Sequence, residues 1–240
     1  MLFSRILFYL SLIAAVLFLM SGYGYQWGLW GLGTGFTILR YSTYAAIGLT
    51  IISVPTYWFV RNSEFKAKFL VVFVFLLMGA ATVTALYWQN EARSVPPIHD
   101  ITTDLNNPPE FVALIRLRED APNPPEYSGE ETAEAQREAY PHIQPLLLDT
   151  DLQEVMDHAV MLLIDRKWDI VAINRNDGRI EATEKLAWFG FKDDVVLRFT
   201  EMDEGTRVDM RSKSRIGRSD VGVNAKRIDT FLSDLEKSSN

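Results

Sequence analysis

Residues 86–97 read LYWQNEARSVPP, and the character of the chain changes within them. Three long apolar runs with almost no charge lie before this point, between Ile6 and Trp88. From about Arg93 onward the sequence is polar, and the first part of that region is rich in proline. This division predicts a membrane domain over residues 1–92, followed by a part of the chain that is soluble in water.

Each apolar run is long enough to cross a lipid bilayer. A hydrocarbon core about 30 Å thick needs about 20 helical residues, so the runs predict transmembrane helices over about residues 5–25, 41–60 and 67–88. The first run also resembles a signal peptide, but no small-x-small cleavage site follows it and two more spans do. Pro55 should kink the second helix, because proline donates no backbone hydrogen bond.

The interior of the three spans is typical of an anchor. No Asp, Glu, Lys or His lies in the central part of any span, and such groups mark transport pathways in membranes. Ser42 and Ala46, and also Ala81 and Ala85, place small side chains four residues apart, which lets helices pack closely in lipid. We therefore expect a packed three-helix anchor. A transporter component would need polar groups that face each other inside the bundle.

Basic residues in the short loops predict the orientation of the spans. Arg5, Arg61, Lys66 and Lys68 fall on the side of the N-terminus, and Arg40 and Arg93 fall on the other side. The N-terminus is therefore expected in the cytoplasm and the C-terminal domain outside it. We expect an integral protein of a bacterial inner (plasma) membrane, with the lipid bilayer as its first partner.

The two parts of the chain differ in charge. Residues 1–94 hold six of the 24 Lys and Arg residues but only two of the 31 Asp and Glu residues, so the rest of the chain is strongly acidic. An acidic domain does not attract nucleic acid through its overall field, and no nucleic-acid partner is expected. The chain has no cysteine, which excludes disulfides and thiolate sites.

Residues 93–145 are predicted to form a proline-rich linker or arm. They contain the pairs Pro96-Pro97, Pro108-Pro109 and Pro124-Pro125, and both proline and the residue before it resist helix formation. We predict an extended arm with one short helix over residues 130–138, and a disordered tether is the alternative. The tract ITTD at residues 101–104 is too specific for a spacer, so part of the arm should pack on the domain.

Residues 146–240 are predicted to form a soluble α+β domain. A strand at 146–148 precedes a helix capped by Asp149, Thr150 or Asp151. Four strands follow at 168–174, 179–188, 195–201 and 206–215, and a last helix begins at Ser219 or Asp220. The expected fold is β-α-β-β-β-β-α, a two-layer arrangement in which two helices cover one face of an antiparallel sheet.

The apolar pattern also predicts how the last two strands pair. A slip of one residue would turn the apolar side chains toward water. The expected pairs are Phe199 with Val208, Leu197 with Met210, Arg198 with Asp209, Asp194 with Lys213, and Glu201 with Thr206, around a loop of residues 202–205.

Three segments resemble one known protein family. They are WFGFKDDVV at residues 188–196, RSKSRIGRSD at 211–220 followed by Asn224, and HDITTD at 99–104 followed by Pro108-Pro109. In combination they are similar to the bacterial and plant family catalogued as domain of unknown function 1499. The resemblance covers about residues 95–238. It implies no chemistry, because no activity defines the family.

The last predicted strand carries the main candidate ligand site. Alternation places Arg207, Asp209, Arg211, Lys213 and Arg215 on one face, and such a face can bind phosphate or carboxylate. A solvated face, paired with Asp194 and Asp209, is the alternative. The start of the last helix adds amides that favour an anion. The candidate ligand-binding residues are Arg211, Arg215, Gly217, Arg218 and Ser219.

His99 and Asp193 are the candidate acid–base residues. Asp193 and Asp194 are adjacent, so in a strand they point to opposite faces and cannot act together on one substrate. His99 lies near Asp100, but no HxxxH or HxH pattern follows, so no metal is expected. No Walker-type loop, GxSxG or GxGxxG occurs, and no cofactor is expected. Trp188, Phe189 and Phe191 either line an apolar pocket or plug the core or an edge of the domain.

Two functional hypotheses remain open. The first is a membrane-anchored extracytoplasmic protein that binds or scaffolds an anionic envelope lipid, a glycan or another envelope protein. The alternative is a membrane-tethered hydrolase of an envelope phosphate or ester, with Arg215 and Arg218 on the anion and Asp193 or His99 as base. A hydrolase requires His99, Asp193 and Arg215 to converge in a deep pocket, whereas a binding module needs only an open surface.

Overall fold

The computed structural model describes residues 2–239 of the chain. The chain forms two compact units. The first comprises Met1–Asn90 together with Ala187–Gly190, and the second comprises Glu91–Leu186 together with Phe191–Asn240.

The first unit is built from three long helices, as the sequence predicted. They are α1 (Leu2–Gln26), α2 (Leu32–Val60) and α3 (Phe65–Ser94), and all three are long and apolar enough to cross a membrane. α2 begins before residue 41 and α3 continues beyond residue 88, because hydropathy marks only the part of a helix suited to hydrocarbon. Backbone hydrogen bonding continues into the flanking turns, where Glu91 and Ala92 are good helix formers.

Small side chains lie between the helices of this unit. Ser42 and Ala46 are both buried in α2, so this part of the packing prediction is confirmed. The hydroxyls of Ser11, Ser21 and Ser42 each donate to a carbonyl oxygen one turn earlier in the same helix. These three hydroxyls are therefore satisfied locally and do not make a polar path from one helix to the next.

The loop Ala187–Gly190 packs within the first unit. The indole Nε1 of Trp188 donates to the carbonyl oxygen of Leu19 at 2.8 Å, and the ring of Phe189 stacks on that of Phe36 with centroids 5.3 Å apart. Gly22 leaves room for this packing, since a Cβ there would lie 2.5 Å from Trp188 Cδ1. The two aromatic side chains thus act as a plug.

The second unit contains one antiparallel sheet of six strands. They are β1 (Asp100–Thr102), β2 (Leu146–Leu148), β3 (Asp169–Asn174), β4 (Arg179–Lys185), β5 (Lys192–Glu201) and β6 (Thr206–Ser214). The order across the sheet is β1-β6-β5-β4-β3, and β2 also pairs with β6. The antiparallel sheet is confirmed, whereas strand β1 was not predicted.

Two helices cover one face of this sheet and form the apolar core. They are α5 (Leu152–Asp165) and α6 (Val223–Ser239). Met156 and Phe231 from the helices pack with Leu197 and Met210 from the sheet in one cluster. Asp151 caps α5 by accepting a hydrogen bond from the amide of Gln153.

The pairing predicted for β5 and β6 is confirmed in every pair. Phe199 lies opposite Val208, Leu197 opposite Met210, Arg198 opposite Asp209, Asp194 opposite Lys213 and Glu201 opposite Thr206. The alternation in both strands leaves one register that places Val195, Leu197, Phe199, Val208 and Met210 on the helix side, whereas Val196 packs against Phe111 of the arm.

The arm, residues 93–145, covers the opposite face of the sheet. It contains β1, a 3₁₀ helix (Ile115–Arg118) and α4 (Glu130–Ala139). Glu181 of β4 binds the start of the 3₁₀ segment, accepting hydrogen bonds from the amides of Val112, Ala113 and Leu114 at 2.9 to 3.1 Å. The arm is therefore not a disordered tether: part of it packs on the domain, as expected, and the expected two layers become three.

Candidate functional site

A row of charged side chains lies between the arm and the sheet. As alternation predicted, the charged residues of β6 share this face. Arg211 places Nε and Nη2 on the two carboxylate oxygens of Asp100, at 2.8 and 2.9 Å. Lys213 Nζ lies 3.1 Å from Asp100 Oδ2, and all three side chains are at most 1% exposed. One carboxylate from β1 thus serves two cations of β6.

Asp194 serves two further cations in the same way. Its Oδ2 accepts from Arg118 Nη1 at 2.6 Å and from Arg215 Nε at 2.8 Å. Its Oδ1 accepts from Arg215 Nη2 at 2.8 Å and from Thr183 Oγ1 at 2.6 Å. Four bonds on one buried carboxylate hold the arm, β4, β5 and the end of β6 together.

Charge and aromatic contacts set the protonation of this network. Burial alone would raise the pKa of the Asp100 carboxyl, but hydrogen bonds and charge from Arg211 and Lys213 outweigh it and lower that pKa. Burial lowers the pKa of the Lys213 ammonium, against the pull of Asp100. The ring of Phe111 lies 4.8 Å from the Arg211 guanidinium and 5.2 Å from that of Arg118, which favours both cations.

The turn after β6 was the predicted anion site, and three amides at the start of the helix that follows it are already bound by side chains. Asp220 caps α6 by accepting from the amides of Gly222 at 2.9 Å and Asn224 at 2.7 Å. Ser219 Oγ accepts from the amide of Val221 at 3.1 Å. An incoming anion would therefore meet a carboxylate at the place where the sequence suggested free N–H groups.

Residues 100–235 match the model of a family described as a protein of unknown function (DUF1499). The chain belongs to this family. No curated protein and no solved structure matches it. The matched region of the DUF1499 domain begins at Asp100, in β1, and therefore includes residues 100–145 of the arm. The arm and the charged row beneath it are thus part of the family domain.

In the DUF1499 domain Asp193 and Arg215 lie on opposite faces of the sheet, whereas His99 lies beside Arg218. Asp193 lies on the helix side of the sheet, where its Oδ2 accepts from Arg227 Nη2 at 2.6 Å. Arg215 lies on the arm side, bound to Asp194. His99 Nδ1 is 3.4 Å from the carbonyl oxygen of Arg218, and burial lowers the pKa of its imidazole. The three residues that a hydrolase would need are divided between two faces.

The remaining predicted residues differ in how available they are. Arg218 and Gly217 are exposed, and Gly217 has a φ of 103° with no atom within 3.4 Å of a Cβ placed there. Arg211 and Arg215 are held in the ion pairs described above. In the part of the chain that the structure describes, no group of three or more His, Asp or Glu is placed to hold a metal ion.

Sequence reasoning missed three residues that organise the DUF1499 domain. Arg118, Glu181 and Arg227 are buried and bridge elements that are distant in the sequence. Glu181 lies in RIEATEK, where regular alternation is typical of a strand with one wet face. Only the position of the arm explains why Glu181 is buried, because the arm supplies the amides that its carboxylate binds.

Proposed function

We propose that this protein is a membrane-anchored binding or scaffolding protein of the cell envelope, with its DUF1499 domain outside the cytoplasm. The three apolar helices support the anchor. The distribution of Lys and Arg in their loops supports the orientation, because short loops with more basic residues remain in the cytoplasm.

One observation favours a binding module over a hydrolase. Asp193 and Arg215 lie on opposite faces of the sheet, and each is closed into an ion pair with a partner of the domain itself. A general base has to lie within hydrogen-bond reach of the group that it deprotonates. Asp193 cannot reach an anion held by Arg215 on the other side of the sheet, so the hydrolase arrangement loses this base.

The buried charges support a structural use of the arm. The networks around Asp100 and Asp194 pair their charged groups with one another, although the buried Arg118 Nε has no hydrogen-bond partner. The polar surface available to a partner is then the exposed one, at the end of the sheet where Arg218 and neighbouring basic side chains lie. A binding module of this kind needs a fixed surface and no deep pocket.

The orientation is tested with two fusions to the full chain. A reporter active only outside the cytoplasm, placed after Asn240, should be active, and the same reporter placed at Asn62 should be silent. Alkaline carbonate extraction of the same membranes should leave the protein in the pellet. The reverse reporter pattern would overturn the orientation, and release by carbonate would overturn the anchor.

A further inference from the structure

Three cations lie side by side at one end of the sheet. The strand register pairs Lys185 of β4 directly with Lys192 of β5. The amide of Arg215, just beyond β6, donates to the carbonyl oxygen of Lys192 at 3.0 Å. Lys185, Lys192 and Arg215 therefore form one row across three neighbouring strands, and this set is called the cation row below.

The whole cation row faces the arm side of the sheet. Thr183 and Asp194 point to that side, where both bind Arg215. Lys185 and Lys192 lie two positions along the same strands from Thr183 and Asp194, so they share that face. Both lysines are exposed, at the rim where the arm no longer covers the sheet.

No carboxylate neutralises the two lysines. Asp194, the nearest carboxylate on this face, is already shared by Arg118 and Arg215. Glu184 is adjacent to Lys185 in sequence but points to the other face, where it pairs with Arg227. Among residues 2–239 neither lysine forms an ion pair. Like charges directly opposite each other in a sheet are destabilising. An anion bound between the two lysines would relieve this repulsion.

The segment between the two lysines is apolar and aromatic. The amide of Leu186 donates to the carbonyl oxygen of Phe191 at 2.8 Å and closes a tight loop. The tip of that loop, residues 187–190, includes Trp188 and Phe189. Aromatic side chains favour the boundary between lipid and water, and basic residues next to them in the sequence suit the headgroups.

A second apolar element borders the cation row. Arg215 Nη1 donates to the carbonyl oxygen of Leu117 at 2.8 Å, so the 3₁₀ helix ends beside the row. Leu117 and Ile115 in that helix are 54% and 45% exposed. Exposed apolar side chains next to unpaired lysines suit an amphipathic ligand better than a small soluble anion.

We infer that Lys185 and Lys192 bind the phosphate of an anionic phospholipid, with Arg215 adding positive potential behind them. This inference rests on the proposed membrane anchor and names the ligand class of the binding module. The two ammonium groups are the direct partners of the phosphate, because the donors of Arg215 are committed to Asp194, Thr183 and Leu117.

The test uses the full chain in detergent, titrated with phosphatidylglycerol or with phosphatidylcholine and followed by native mass spectrometry. The wild type should retain phosphatidylglycerol in preference to phosphatidylcholine. The double variant Lys185→Gln/Lys192→Gln should bind phosphatidylglycerol about 30-fold more weakly, since each basic residue near an anionic surface contributes about fivefold. The single variant Lys192→Gln should lie between.

The matched control is Lys226→Gln/Lys237→Gln, which removes the same charge from exposed positions on α6. It should bind phosphatidylglycerol as the wild type does. Equal loss in the control, or unchanged binding in the Lys185→Gln/Lys192→Gln variant, would overturn the site. Displacement of the lipid by millimolar inorganic phosphate would show a site for a soluble anion and overturn the lipid assignment.

Carbonate extraction of the same variants separates this inference from the function on which it rests. A protein that stays in the membrane but lacks selectivity for phosphatidylglycerol rejects the lysine site alone. A protein that carbonate releases rejects the membrane anchor, and with it the lipid assignment.

Discussion

Arg118 Nη1 lies 2.6 Å from Asp194 Oδ2, and both side chains are fully buried. Arg118 belongs to the arm, whereas Asp194 belongs to β5, 76 residues later. The same guanidinium donates to the carbonyl oxygens of Asn123 and Ser214. This one contact therefore fastens the middle of the arm to the sheet and to the end of β6.

Replacing Arg118 by Met should loosen the arm. The substitution leaves a buried carboxylate with one cation fewer, and breaking a buried pair costs about 3 kcal/mol or more of unfolding free energy. Hydrogen exchange of the full chain, read by mass spectrometry, should become faster over residues 112–123. Arg137→Met is the control, because its pair with Glu130 is exposed and should change stability by less than about 0.5 kcal/mol. Equal effects would mean that Arg118 does not hold the arm.

Stability should fall in acid, and Asp100 should account for part of the loss. Its folded pKa is lowered from 3.8 by Arg211 and Lys213 against the opposing effect of burial. A lowered carboxyl pKa contributes stability that is present above the unfolded pKa and lost as pH falls through the folded one. Urea unfolding of Asp100→Asn should show lower stability at pH 7 and a shallower decline below about pH 4. Asp203→Asn, in an exposed loop, should keep the wild-type profile. If the stability of Asp100→Asn fell with decreasing pH as steeply as that of the wild type, this prediction would be contradicted.

Tyr127→Phe should be neutral or stabilising at neutral pH. The hydroxyl of Tyr127 is buried without a hydrogen-bond partner, and removing such a group removes a desolvation cost. Burial, with help from the charge of Asp100, raises the pKa of the phenol to about 12. A raised pKa gives stability that is complete below the unfolded value of about 10 and lost as pH rises toward 12. The variant should lose less stability over that range in alkaline unfolding, and a clear destabilisation at pH 7 would reveal a missed partner.

Gly205→Ala should destabilise the second unit more than Gly129→Ala does. Both glycines have positive φ, 84° and 87°, so each alanine carries backbone strain. A Cβ at Gly205 would also lie 1.9 Å from the carbonyl oxygen of Leu148, whereas nothing lies within 4 Å at Gly129. The steric clash therefore adds to the backbone strain at Gly205 only. Equal values would mean that the β5–β6 loop moves away from Leu148 at little cost.

The elements whose pattern is local could be predicted from the sequence. The register of β5 and β6 follows from Leu197 and Phe199 alternating with charged neighbours, because one face of each strand had to be buried. The cap of α5 at Asp151 and the turn at Gly178, which has a φ of 55°, also depend only on nearby residues. Such features can be predicted without knowing which residues from distant parts of the sequence pack against them.

The packing of the arm could not be predicted in the same way. Strand β1 has three residues, which is too short for a periodic signal. The charged residues of β6 have the pattern of a solvated face, and Asp100, the partner of Arg211, lies 111 residues earlier than Arg211. The ion pairs with Asp194 and Asp209 were correctly anticipated, but the cover that buries them was not. Long-range polar pairs leave no mark in local periodicity.

The predicted ligand site was also affected by a contact that the local pattern did not reveal, here between residues close in the sequence. Gly217 and Arg218 are exposed, as a binding turn requires. The amides expected to be free at the start of α6 are instead bound by Asp220, only a few residues before the helix. Ser219 and Asp220 were both recognised as possible caps. A cap and an anion compete for the same N–H groups, and the covalently attached carboxylate has the advantage.

The contact of β1 with β6 also fixes an order of assembly. Asp100 and Arg211 are separated by 111 residues, so at a synthesis rate of about 5–20 residues per second the carboxylate waits about 6–20 s for its partner. Throughout that interval the arm has no sheet to cover, because β5 and β6 do not yet exist. The domain is then completed in one late step, and a chain interrupted before residue 206 would present an unpaired arm to the cell's proteases.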